Sequence, residues 1–181
     1  MRRNLNQMNK TEIIQSIIDQ NQYKTYLEIE LGDMVNFEAL QVEYKQGVDP
    51  IINTSSDEFF EANTQTFDLI FIDGLHHAEQ VEKDIVNAWN CLNPKGQILI
   101  HDIKPPTFDS QVVPRKQKVW CGDVWRAWYG LKNTKLKLGY LEEDFGLGVI
   151  YKTKHKLTAG FIDGEMDWKQ YNKAKGWLIN I

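Results

Sequence analysis

The sequence predicts a doubly wound α/β fold of three layers, a mostly parallel sheet with an antiparallel hairpin at its C-terminal end. Two nearly continuous apolar runs, Phe67-Asp68-Leu69-Ile70-Phe71-Ile72 and Gln97-Ile98-Leu99-Ile100, have the composition of strands covered on both faces. Helical patterns of ten or more residues alternate with the strands, which implies parallel pairing through right-handed crossovers. Two later strands, Leu136 to Leu141 and Gly146 to Lys152, are joined by Glu142-Glu143-Asp144-Phe145, a spacing that suits a hairpin.

Each element has a local reason. Thr11 to Gln20 carries Ile13, Ile14, Ile17 and Ile18 at helical spacing behind Thr11 as N-cap. Tyr26-Leu27-Glu28-Ile29-Glu30-Leu31 alternates as a strand and ends in Gly32-Asp33. A helix is expected around Val35 to Tyr44, then a brief strand, Gln46-Gly47-Val48-Asp49, stopped by Pro50. Ser55-Ser56-Asp57-Glu58 starts a helix to about Asn63, with a capping hydroxyl and acids in the first turn. From Ala78, the stripe Val81, Ile85, Ala88, Trp89, Leu92 describes a helix that Asn93-Pro94-Lys95-Gly96 terminates. After a long loop, Ile103 to Gly122, Asp123 caps a helix through Trp125, Trp128 and Leu131, and a last helix is expected over Asp167 to Lys175.

The chain has 181 residues, 42% of them hydrophobic and 12% aromatic, enough to fill one core. A single domain over 1–181 is expected, its core at about 23–152 and a C-terminal extension at 153–181. No apolar run approaches the roughly 18 to 20 residues that span a bilayer, and Met1 to Gln7 lacks the apolar stretch of a secretion signal. A cytoplasmic protein without membrane association is therefore expected. Cys91 and Cys121 form no metal-like pair and read as ordinary reduced thiols.

Net charge is −4, but unevenly spread. Between Glu28 and Asp84 fourteen acidic residues face only Lys45 and Lys83, a surface that repels phosphate backbones, so nucleic acid is not expected as a partner. From Lys104 to Lys118 the balance reverses, with Lys104, Arg115, Lys116 and Lys118 against Asp109. That stretch is either a solvated basic loop or a lure for an anionic small molecule. A small-molecule substrate is the expected partner, and a homo-oligomer stays open.

In open α/β sheets ligands bind at the carboxyl ends of the strands, where the crossover direction switches. Those ends carry Gly32 and Asp33, Asp49, Asp73 with His76 and His77, and His101 with Asp102, so three of the four histidines gather on one rim with several acids. The loop from Lys104 to Cys121, with Phe108, Trp120 and its basic residues, would cover that rim as a lid.

These segments resemble a known family. Tyr26-Leu27-Glu28-Ile29 with Gly32, Gly47-Val48-Asp49-Pro50, Ser56-Asp57-Glu58-Phe59-Phe60, the block from Phe67 to His77 and Ile100-His101-Asp102 are similar to the class I S-adenosylmethionine-dependent methyltransferases, whose fold is Rossmann-like. Within them the likeness is to the small group related to catechol-type and macrolide O-methyltransferases. Trp120 to Arg126 and Asp144 to Ile150 fit that group as well, so the resemblance covers about Tyr26 to Tyr151.

The resemblance implies methyl transfer from S-adenosylmethionine to a hydroxyl of a small polar, sugar-like or anionic acceptor. It places Glu28, Glu30, Gly32 and Asp33 beneath the methionyl part of the cofactor and Asp49 on both ribose hydroxyls, with Ser56 and Asp57 near the adenine. Asp73 and His76 would adjoin the cofactor too. Asp73 and Asp102 stand where metal-dependent members hold Mg²⁺, or another divalent cation; Ile103 replaces an amide ligand, leaving His76, His77, His101 or waters to complete the shell. Without a metal, His77 or His101 is the expected general base.

Two positions depart from the family, which generally has glycine at Glu30 and Met34. If the Glu30 carboxylate stood about 4 Å from the cofactor's own, at an effective dielectric near 20, the repulsion would reach roughly 4 kcal/mol. It can instead turn away, take a proton or accept from the cofactor's ammonium group. The alternative to an enzyme is thus a methyltransferase-like domain that has lost cofactor binding and acts as a binding or scaffold module. A nicotinamide dehydrogenase is disfavoured, because the first turn lacks Gly-x-Gly-x-x-Gly.

Overall fold

A computed structural model of the chain describes residues 8–142, 145–162 and 167–174. Met1 to Gln7, Glu143 and Asp144 of the expected hairpin connection, and Lys175 at the end of the expected last helix lie outside the described residues.

Among the described residues one six-stranded sheet runs through the molecule, built from β1 (Thr25–Ile29), β2 (Tyr44–Val48), β3 (Phe67–Ile72), β4 (Leu92–Ile100), β5 (Lys137–Leu141) and β6 (Leu147–Tyr151) in the order β2-β1-β3-β4-β6-β5. The first four pair in parallel, whereas β6 is antiparallel to both β4 and β5. The mostly parallel α/β sheet and its antiparallel hairpin are as expected. The chain leaves β1 for one side of the sheet and returns to the other through β3, so the switch point lies between their carboxyl ends.

Alternation along the strands divides the interior into two layers. Leu27, Ile29, Ile70, Ile72, Ile98 and Ile100 face α4 (Ala78–Asn90) and α6 (Val124–Gly130), burying Val81, Ile85, Trp125 and Trp128. Tyr26, Leu69, Phe71 and Leu99 face the opposite way, against Ile13, Ile14 and Ile18 of α1 (Lys10–Asn21). Core packing therefore reaches beyond 23–152: α1 seals one layer, and Leu157 with Tyr171 of α7 (Trp168–Ala174) joins the other.

Several boundaries differ for local reasons. The cap of α1 is Asn9, not Thr11, in a reciprocal box with Glu12. The helix expected around Val35 to Tyr44 is only α2 (Val35–Ala39), because Tyr44 already pairs with Thr25 in β2. In α3 (Ser56–Ala62) the capping hydroxyl is that of Ser55, boxed with Glu58. Asn93 to Gly96 do not precede β4 but lie within it as an irregularity, with Lys95 at φ 68 and the register shifting opposite Phe67 and Leu69. Gly96 is required there, since a Cβ would sit 2.7 Å from the Asp68 carbonyl oxygen. The long loop holds a single helical turn, α5 (Phe108–Gln111), capped by Thr107. No helix of the described residues is long and apolar enough to cross a membrane.

Candidate active site

A cavity of about 600 Å³ opens at the carboxyl ends of β1, β3 and β4, beside the switch point. Eight of the residues expected at a site line it: Glu28, Glu30, Gly32, Asp33, Asp73, His76, His101 and Asp102. Lys118, Val119 and Trp120 of the long loop also line it, as a lid would. Phe108 does not; it packs edge-on against Trp168.

The turn after β1 keeps a glycine-like backbone while carrying other side chains. Glu30, Gly32 and Met34 have φ of 63°, 53° and 63°, three left-handed residues in alternation. The Glu30 carboxylate is drawn across to the turn after β3, where it accepts from the Leu75 backbone and lies close to Gly74. Burial raises its pKa, and His76 partly offsets that.

Glu28 is buried at 2% exposure on the α1 side of the sheet. Its Oε2 accepts from the Tyr26 hydroxyl at 2.6 Å and from Asn36 Nδ2 at 2.9 Å, and burial raises its pKa despite both bonds. Asn36 also lines the cavity; its Oδ1 is buried and has no hydrogen-bond partner among the described residues. A buried acceptor without a donor costs about 1 to 3 kcal/mol, so this position calls for a ligand donor.

At the ends of β3 and β4 two imidazoles and two carboxylates interlock. His101 Nδ1 lies 3.1 Å from Asp73 Oδ1, and His76 Nε2 lies 3.5 Å from the same oxygen and 3.2 Å from Asp102 Oδ2. Burial opposes the charge of Asp73, but bonds from His101 and His76 and the nearby Lys10 charge hold its carboxyl well below the usual range. Asp102 moves the other way, raised chiefly by burial. The pKa of His76 rises although burial resists it, because both ring nitrogens meet acceptors: the carboxylates at Nε2 and the Trp120 carbonyl at Nδ1. Ligand atoms of Asp73, His76 and Asp102 all lie within 4.8 Å of one another, close enough for one cation.

Four expected residues lie outside the cavity lining. His77 begins α4 and meets Trp120 edge-on at 6.2 Å, while the φ of 56° at His76 turns that neighbour into the cavity instead. Asp49 is 5% exposed; its Oδ2 accepts from Leu31 N and its Oδ1 from Ile51 N and Ile52 N, tying the turns after β1 and β2 together. Ser56 and Asp57 accept from Gln80 Nε2, and Asp57 pairs with Lys83, which binds α3 to α4. Conversely, sequence reasoning missed Lys10, Asn36 and Phe145. Asn36 was hidden by pattern, since its apolar neighbour Val35 is 63% exposed while Asn36 itself is buried.

The model of a family described as a methyltransferase domain matches residues 3–103, more than half of the chain. The chain belongs to this methyltransferase family. No curated protein matches the sequence significantly. Solved structures share the fold at low identity. The O-methyltransferase of tomaymycin synthesis from Streptomyces achromogenes superposes with TM-score 0.57 and 10% identity, covering 80% of this chain and 79% of that one. An O-methyltransferase from Bacillus cereus gives 0.55 and 11%, covering 79% and 80%. An amino pentose methyltransferase from Micromonospora echinaspora gives 0.56 and 11%, covering 80% and 90%. The methyltransferase thus has the Rossmann-like α/β fold expected of it, and its cavity sits where that fold places ligands.

Proposed function

We propose that this methyltransferase uses S-adenosylmethionine to methylate a hydroxyl oxygen of a small polar acceptor. The observation that carries the reading is a cavity holding both a buried acceptor that wants a donor, Asn36 Oδ1, and an imidazole steered by a carboxylate, His101 on Asp73. The Streptomyces and Micromonospora proteins were crystallised with S-adenosylmethionine and the Bacillus protein with S-adenosylhomocysteine, which supports the choice of donor.

The donor supplies an electrophilic methyl group on a positively charged sulfur. Asn36 Oδ1 and the Glu28 carboxylate receive its ammonium group, and the left-handed turn from Glu30 through Gly32 and Asp33 cradles the methionyl part. Asp49 has one acceptor direction left on Oδ2, so it takes one ribose hydroxyl rather than the pair. The Asp73 carboxylate fixes the Nδ1–H tautomer of His101, and His101 Nε2 takes the acceptor's hydroxyl proton as the methyl group transfers. In-line placement does the rest, since attack on a sulfonium needs no covalent help from the protein.

Asp73, His76 and Asp102 would hold a divalent cation, whose chemistry there is to lower the pKa of a bound hydroxyl. The acidic middle of the chain favours a small acceptor over nucleic acid.

The test is incubation with labelled methyl donor and a panel of hydroxylated metabolites, with and without Mg²⁺. Turnover should fall at least about a hundredfold in His101→Asn while S-adenosylhomocysteine still binds. Unchanged turnover in that variant refutes the role of His101, and failure of wild type to bind donor or product refutes the reading as a whole.

A further inference from the structure

Lys10 opens α1, and its Nζ lies 2.5 Å from Asp73 Oδ2. The two oxygens of Asp73 are thus divided, since His101 and His76 both approach Oδ1. The ammonium also stands 5.6 Å from the centre of the Phe71 ring. It is not a wandering surface charge: the Asn9–Glu12 capping box sets the start of α1, and Ile13, Ile14 and Ile18 pin the helix to the sheet. The fold itself therefore delivers a cation to the carboxylate that the proposed metal cluster shares. Two cations on one carboxylate in a half-buried cavity repel each other strongly, because little water screens them.

We propose that Lys10 is the resident cation of this site and competes with a divalent metal ion for Asp73. The inference rests on the assignment of Asp73, His76 and Asp102 as the cation ligands. It makes Lys10 a residue that sets metal affinity, and it ties metal binding to the position of the first turn of α1, whose Thr11 also lines the cavity.

The test is titration of the full chain with Mn²⁺ alone, following the signal of unbound Mn²⁺ by electron paramagnetic resonance, so neither donor nor acceptor is needed. Lys10→Met should bind Mn²⁺ at least tenfold more tightly than wild type. Lys10→Arg, which keeps the charge, should stay within about threefold of wild type. In Lys10→Met/Asp73→Asn the gain should vanish, which would locate the metal on that carboxylate. Lys10→Gln repeats the measurement should the methionine variant fold poorly. Equal affinity in wild type and the uncharged variants, a gain that survives Asp73→Asn, or no Mn²⁺ binding by any variant overturns the proposal. Calorimetry with S-adenosylhomocysteine in metal-free buffer is read separately: its failure sinks the methyl-donor reading and leaves the Mn²⁺ result standing.

Discussion

Asp123 Oδ1 accepts the backbone N–H of Ala78 at 2.8 Å, so the carboxylate expected to cap α6 instead caps α4, forty-five residues upstream. Its own helix receives no side-chain cap from it, and its Oδ2 pairs with Arg126 Nη1 at 3.2 Å. The Asp123 N–H donates to the His76 carbonyl at 3.1 Å, which fastens the end of the long loop to the turn that aims His76. Replacing Asp123 by alanine should cost about 1 to 2 kcal/mol, the usual range for a lost N-cap, read from urea unfolding. Asp123→Asn keeps an acceptor for Ala78 and should lose less. A cost for alanine within about 0.5 kcal/mol of zero would be that of an ordinary surface site and would refute the cap.

Gly122 lies one residue earlier, at φ 59, with its missing Cβ directed at the His76 carbonyl. Both the left-handed backbone and the steric clash oppose any larger residue. Gly122→Ala should destabilise by about 2 kcal/mol or more and displace the His76 ring from Asp102. Thermal unfolding and the chemical shifts of the His76 imidazole measure the two effects. A variant as stable as wild type with an unmoved His76 would show that the loop yields there at no cost.

Glu30 decides whether the departure from glycine harms donor binding. Facing carboxylates about 4 Å apart would weaken binding by roughly 4 kcal/mol, near a thousandfold. In the structure the Glu30 carboxylate turns to the Leu75 backbone and toward His76, so that repulsion should not arise. Calorimetry should give saturable S-adenosylhomocysteine binding to wild type, and Glu30→Gly should change its Kd by no more than about threefold, under 1 kcal/mol. A thousandfold gain in Glu30→Gly would mean that the two carboxylates do meet.

What the sequence made legible follows from where packing is symmetric. Phe67 to Ile72 and Gln97 to Ile100 are covered on both faces, so composition alone reveals them, and the stripe of α4 needs only its own periodicity. The strand-end rule then found Gly32, Asp33, Asp73, His76, His101 and Asp102, and the resemblance added Glu28 and Glu30. Residues set by tertiary contact escaped it. Lys10 reaches Asp73 across sixty-three residues, and Asn36 is recognisable only once Glu28 is known to lie above it. The choice between His76 and His77 turns on one left-handed residue, which no hydrophobic pattern encodes.

Asp84 gives the fold a pH dependence opposite in sign to that of the carboxylates whose pKa values are lowered. It lies on α4 at 1% exposure, with Gln80 Nε2 at 3.2 Å from Oδ1 and the Ser56 hydroxyl as a second partner. Burial pushes its carboxyl up to about 6 from an ordinary 3.8; Asp57 adds to the rise, while Ser56, Gln80 and Lys83 oppose it. The folded state therefore holds this proton more tightly than the unfolded chain. The stability it contributes is complete below pH 3.8 and lost as the pH rises through 6, roughly 3 kcal/mol at 1.36 kcal/mol per unit. Asp73, Asp68 and Glu58, whose pKa values are lowered, act the other way and lose stability as pH falls, so the raw curve mixes both signs. The difference between wild type and Asp84→Asn isolates the effect. From about pH 4 to 6.5 the variant should gain on wild type by a few kcal/mol in urea unfolding, then run parallel to it above pH 7. Parallel curves across the whole range would mean that Asp84 is charged in the fold and held so by its neighbours.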